Sequence, residues 1–364
     1  MTEPRRQHEI DLFRFCAALM VVLYHYTFRG HAADGYSPFA FPALGAISRY
    51  GYLGVDLFFV ISGYVILMSA AHSTPVRFTI SRMVRLYPAF WVGATLTAAC
   101  IVLLGDGLFE VGLLQYLANL TMVGGYFGVT AIDGVYWTLL VEMKFYGLVF
   151  LLLLFRQMDR VEGWLAGWLA LSWAVLFVDA PGLLRDWLIT DWASYFIAGC
   201  TFYRIRSQGP SLRRWALVAA ACALSLYHAL AYAADLGSHF QVRFSPAAVA
   251  GVVLGCYALF LLVATRRTRR LDLPWLATLG ALTYPLYLIH QRIGYVLFQQ
   301  FAEFDKYAVV ASVLALMLVL SHLVHRLVER PLAPRLKQAL SALAAAGAAA
   351  AQRLVRVAED RGPA

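Results

Sequence analysis

The stretch Ile10-Asp11-Leu12-Phe13-Arg14-Phe15-Cys16-Ala17-Ala18-Leu19-Met20-Val21-Val22-Leu23-Tyr24-His25-Tyr26-Thr27-Phe28 is an apolar run that carries Arg14 and His25 in its interior. As a helix rising 1.5 Å per residue it is long enough to cross a hydrocarbon core about 30 Å thick. Arg5 and Arg6 ahead of it give the chain the look of a secretory leader. The run is too long for one, however, and has no small-x-small cleavage site, so it is expected to stay as a first spanning helix.

Similar windows recur along the chain, near residues 52–71, 86–104, 136–155, 164–178, 187–203, 215–232, 247–264, 275–299 and 307–326, with Trp and Tyr gathered at their ends as interfacial anchors. With 61% hydrophobic and 14% charged residues, a chain of 364 has too little polar surface to coat a soluble globule. The expectation is an all-α polytopic transmembrane bundle of about ten spanning helices. It forms one membrane domain over residues 1–332, followed by an Ala-rich tail over residues 333–364.

The net charge of +9 is nearly all arginine. A nucleic-acid partner would be one explanation, but topology explains the charge better. If the N-terminus is cytoplasmic, the inner segments hold nineteen cations, among them Arg77, Arg82, Arg85, Arg204, Arg206, Arg213, Arg214, Arg266, Arg267, Arg269 and Arg270. The outer segments hold five: Arg29, Arg49, Arg185, Arg243 and Lys306. This bias predicts ten crossings with both termini cytoplasmic. Residues 105–135 have seven glycines and no Lys or Arg; a crossing there would move the arginine clusters outside, so an outer loop that dips into the membrane or covers a cavity is expected. The run Ala339 to Ala351, between Lys337 and Arg353, is too short to span and is expected as a loose cytoplasmic helix. The five cysteines lie in apolar stretches without metal or CxxC spacing, which predicts neither a disulfide framework nor a metal site.

A charge at mid-bilayer costs a few kcal/mol at least, so the intramembrane ionisable residues are the functional candidates. Arg14 and His25 are eleven residues apart, which returns a helix to within about 20° of the same face and separates them by roughly 16 Å. Counting along the windows puts Asp56, Glu142, Lys144 and His290 at a depth close to that of His25. Arg82 and Arg85 join Arg14 in a basic layer nearer the inside. A single histidine in a spanning helix is more often an interhelical hydrogen-bonding residue than a catalyst. The grouping at one depth, above an arginine layer, favours the catalytic reading for His25.

The chain resembles the membrane-bound acyltransferase-3 family of bacteria. The resemblance rests on Arg14-x10-His25, on Gly51-Tyr52-Leu53-Gly54-Val55-Asp56 continuing to Ser62-Gly63-Tyr64, and on Arg82-x-x-Arg85-x-Tyr87-Pro88. It rests further on Tyr136-Trp137-Thr138-Leu139 with Glu142, on Tyr284-Pro285-Leu286-Tyr287-Leu288-Ile289-His290 and on Glu329-Arg330-Pro331. It implies an integral protein of the bacterial inner membrane that takes an acyl group, most often acetyl, from cytoplasmic acyl-CoA. The acceptor it implies is a hydroxyl of an extracytoplasmic or lipid-linked carbohydrate, and it makes Arg14, His25, Arg82 and Arg85 required residues.

The chemistry expected of these residues is specific. Guanidinium groups match phosphate oxygens, which assigns Arg14, Arg82 and Arg85 to coenzyme A. His25 is the expected general base, with Glu142 or Asp56 orienting it, His290 a further catalytic candidate, and an acyl-histidine relay an open alternative. Tyr136 and Trp137 are candidate sugar-stacking residues. A secondary transporter of a small anion or sugar is the competing reading, though no inverted repeat supports it.

Overall fold

The computed structural model describes residues 7–178 and 180–360, with side chains up to Gln352; Arg5, Arg6 and the Arg353 side chain lie outside the described residues. Eleven long helices make up the fold: α1 His8–Tyr24, α2 Gly54–Ala70, α3 Pro75–Leu104, α4 Trp137–Leu154, α5 Val161–Ala174, α6 Ala193–Gln208, α7 Leu212–Phe240, α8 Pro246–Ala264, α9 Leu276–Gln300, α10 Lys306–Val324 and α11 Arg330–Asp360. The described residues contain no strand. The protein is therefore all-α, and each of the ten apolar windows coincides with one of α1 to α10.

The helix starts follow from local chemistry. Thr74 accepts the Arg77 N–H ahead of Pro75, Ser245 caps α8 ahead of Pro246, and Asp305 accepts the Ala308 N–H at 2.9 Å. Each cap satisfies backbone donors that lipid would leave bare.

Seven helical segments are long and apolar enough to cross a membrane. Of the other three windows, α5 has 14 residues and α6 has 16, while α9 with 25 residues is too polar. The polarity of α9 has a physical reason, since it packs against α1, α3 and α10 and buries Thr283, His290 and Gln291 in protein rather than lipid. An inner helix has no lipid-facing side to keep apolar.

The closest helix pair is α2 with α6. A Cβ on Gly63 would strike the Phe196 carbonyl, and one on Gly199 would strike the Val60 carbonyl and come within 2.7 Å of the Tyr64 nitrogen. Small residues let two backbones touch where lipid provides no hydrophobic drive, and the Cys200 thiol donates to the Gly63 carbonyl across the seam at 3.3 Å.

Residues 105–135 form a long connection that folds back along the bundle. Its short helix Leu113–Asn119 and the following turn lie along α3: Trp91 Nε1 donates to the Leu120 carbonyl at 3.0 Å, and the Tyr87 hydroxyl donates to the Thr121 carbonyl at 3.1 Å. Trp91 is thirteen residues short of the Leu104 end of α3, so the segment descends about 20 Å along the helix. Asn119 pins its return by donating to Thr130 O and accepting from Ile132 N–H. Asp133, fully buried, ties it to α9 through the Arg292 N–H at 3.0 Å. The tail 333–364 is helical as far as it is described, in α11, which continues from α10 through a π-helical turn, His325–Glu329.

Candidate active site

Cavities run through the bundle in sequence. One lies at the end that carries Gln7, Met68 and His325, here the near end; it shares Arg14 and Arg85 with a second, deeper cavity. The deeper cavity is also lined by Arg82, Glu142, Ser62 and Tyr146, and it meets a third at a common wall of Val55 and Tyr287. The third holds His25, Asp56 and Trp137.

Three arginines therefore face one cavity. Arg82 lies within 5.8 Å of the ring centres of both Phe78 and Tyr146, with its buried Nε lacking a partner among the described residues. Arg85 sits over Tyr284 and reaches Glu329 at 3.5 Å. Glu142 accepts from Ser62 Oγ at 2.5 Å.

His25 is the first residue of a π-helical turn, His25–Arg29, a geometry concentrated at functional sites because it re-aims side chains within a helix. The ring is 4% exposed and lies 5.0 Å from that of His290, which is fully buried. Their hydrogen bonds fix both tautomers. His290 Nδ1 faces the carbonyls of Tyr287 at 2.8 Å and Leu286 at 3.2 Å, so it carries the proton, which leaves its Nε2 as an acceptor. His25 Nδ1 faces that Nε2 at 3.1 Å and the Val21 carbonyl at 2.8 Å, so it too must be protonated. The basic lone pair of His25 is thereby left on Nε2.

The sequence depth count grouped His25 with both carboxylates. In the fold Asp56 and His290 join His25, but Glu142 belongs to the arginine cavity, and no carboxylate is the partner of His25 Nδ1. Depth along a helix fixes height and says nothing about azimuth. Asp56, 5% exposed, sits beside the Tyr195 phenol instead. Lys144 turns away to pair with Asp186 and lies over Tyr126. Trp137 lines the His25 cavity, whereas Tyr136 is buried against Phe90 and donates to the Leu288 carbonyl, so it bridges helices and does not face the cavity. Residues missed by sequence reasoning include Ser62, Tyr146, Tyr284 and Tyr287. Tyr146 lies one turn beyond Glu142, and Tyr284, Tyr287 and His290 follow at i, i+3 spacing, a signal available in the sequence.

An integral membrane protein with a buried histidine pair beside a guanidinium-lined cavity is the class that fold and site define. A family profile described as an acyltransferase domain matches residues 7–326, and the chain belongs to that acyltransferase-3 family. A Komagataeibacter xylinus protein whose name describes a membrane-bound transacylase, BcsY, is 29% identical over 357 residues, spanning 89% of this chain and 82% of its own length. Nodulation protein 10 of Rhizobium leguminosarum bv. viciae is 29% identical over 192 residues, 46% of this chain and 51% of its own. No solved structure matches the chain. The protein is a membrane acyltransferase.

Proposed function

We propose that this acyltransferase moves an acyl group, acetyl in the first instance, from cytoplasmic acyl-CoA to a carbohydrate hydroxyl on the other side of the bacterial inner membrane. The near end is then cytoplasmic, α1 to α10 make ten crossings, and both termini are inside, in keeping with the arginine bias. The single observation that carries the reading is the run of adjoining cavities from the near-end vestibule, through the arginines, to His25.

Coenzyme A phosphates bind the guanidinium groups of Arg14, Arg82 and Arg85, whose forked donors suit phosphate oxygens. The pantetheine arm follows the cavities along α1, and the thioester comes to His25. The acceptor hydroxyl oxygen then forms an ester bond to the acyl carbon as the C–S bond breaks. The hydroxyl proton passes to His25 Nε2 and on to the departing thiolate, and coenzyme A leaves as the thiol. His290 stabilises the transient imidazolium by accepting from Nδ1–H, the part played by the acid in a hydrolase triad. Trp137 borders the reacting groups, and Asp56 supplies the one carboxylate among the described residues that line the His25 cavity.

The test is transfer of labelled acetyl from acetyl-CoA in inner-membrane vesicles that contain the host's surface glycan. Label is expected in the glycan; a purified protein that fails to bind coenzyme A would overturn the reading and put a transporter ahead.

Two further outcomes follow from the geometry. Arg14→Ala should raise KM for acetyl-CoA about ten- to hundredfold, the equivalent of one charge-assisted hydrogen bond, with Arg14→Lys restoring only part. His290→Phe removes the acceptor for His25 Nδ1–H and should lower kcat about tenfold or more without moving KM for acetyl-CoA. His290→Gln, which can present an oxygen to that proton, should recover much of the loss. Steady-state kinetics on purified protein in nanodiscs decide both; a His290→Phe effect confined to KM would refute the positioning role.

A further inference from the structure

Beyond His25, at the far end of the bundle, a further cavity shares Tyr52, Asp56, Trp192 and Tyr232 with the histidine cavity and opens between α6 and α7. Two of its features have no role in the chemistry above. Tyr52 is 8% exposed, and its buried hydroxyl has no partner among the described residues; His228, on the same cavity, has a buried Nε2 in the same condition. A buried polar atom without a partner costs about 1–3 kcal/mol, and with the buried Nε of Arg185, on the same lining and equally without a partner among the described residues, three of them on one cavity mark where a ligand's polar groups belong.

The rest of the lining defines that ligand's chemistry. Tyr232 stands edge-on to both Tyr52 and Trp192, with ring centres 5.8 and 5.9 Å away, which makes an aromatic wall. Asp191 and Asp235 line the same cavity and are exposed. Aromatic faces pack on the C–H faces of a pyranose ring, while carboxylates and a neutral imidazole accept from its hydroxyls. Against the single guanidinium of the lining, that of Arg185, the same two carboxylates leave the cleft net negative, which disfavours an anionic sugar.

We infer that this cleft is the acceptor site, that it binds a neutral glycosyl unit, and that it directs one hydroxyl past Asp56 to His25. The inference rests on the carbohydrate acylation proposed above and adds its place and its charge preference.

The test uses full-length protein in nanodiscs with cellotriose, maltotriose and sialyllactose as probes, read by saturation-transfer NMR. Acetyl-CoA binding and acyl transfer are measured on the same samples. At least one neutral trisaccharide should show transfer with wild type and sialyllactose none. Ala231→Trp, which places an indole in the cleft from an exposed lining position, should abolish the sugar signal. Asp235→Asn should weaken sugar binding at least threefold, with acetyl-CoA affinity within twofold of wild type in both variants as proof of folding. Sugar signals that survive Ala231→Trp, equal binding of sialyllactose, or no binding by any probe would overturn the inference. Sugar binding that maps to the cleft in a protein that transfers no acyl group would uphold the neutral-sugar site but overturn its part as acceptor site, together with the reaction proposed above.

Discussion

His25→Ala is expected to lower acyl transfer by about a thousandfold or more while the protein still folds and binds coenzyme A. Loss of a general base alone costs about 10²- to 10⁴-fold. Here the neighbouring imidazole is a poor substitute, because His290 Nδ1–H is committed to two backbone carbonyls and its Nε2, though freed by the variant, lies 3.1 Å from the Nδ1 position of His25 and not at the Nε2 position that the mechanism uses. The stability cost is much smaller. The variant deletes a buried ring and leaves His290 Nε2 without its donor, a penalty of about 1–3 kcal/mol, against a bundle held elsewhere by helix packing. Single-turnover release of coenzyme A, followed beside equilibrium binding of acetyl-CoA, separates the two effects. Turnover at the wild-type rate in His25→Ala would remove His25 from the chemistry.

Gly199→Val is expected to be the most destabilising of the simple substitutions, costing about 3 kcal/mol or more. The Cβ it adds would meet backbone atoms of Val60 and Tyr64, which cannot rotate aside as a side chain can, so α2 and α6 must separate. Separation would also open the Cys200 to Gly63 hydrogen bond and shift Asp56 and Ser62, both on α2, relative to the cavities they line. The control is Gly167→Ala in α5, where a Cβ meets nothing within 4 Å and helix propensity predicts a gain of up to about 1 kcal/mol. Thermal unfolding of the two variants in detergent, with monodispersity by size exclusion, should show opposite shifts. A Gly199→Val protein as stable as wild type would mean that the helices do not meet at this seam.

Much of this was legible in the sequence, for identifiable reasons. Apolar windows bounded by charge, Gly or Pro marked α1 to α10, because lipid forces the backbone to satisfy itself within each one. Residues 105–135, where a crossing would have moved the arginine clusters outside, are read as an outer loop that dips or covers a cavity, and in the fold they lie back along α3. Arg14 and His25 share one helix, so their spacing translated directly into distance. What could not be read was which side chains meet across helices. Glu142 counts to the level of His25, yet it is Arg14, just over three turns lower along the first helix, whose cavity it lines. The partner of His25 comes from α9, 265 residues away. The π-helical turn that begins at His25 has no signature in composition. Tyr136 and Trp137 are adjacent and chemically alike, but a helix sends neighbours about 100° apart, so only one can face the cavity.

The wall formed by Val55 and Tyr287 also has an electrical meaning. Cavities that enter from opposite ends of the bundle bring the surrounding solutions' potentials inward, so the voltage across the membrane falls over the thin layer between them and not over the full bilayer. At 100 mV that drop is worth about 2.3 kcal/mol for each elementary charge. Val55 and Tyr287, both uncharged, are the side chains common to the two cavities, so in the orientation proposed above that drop would fall across them.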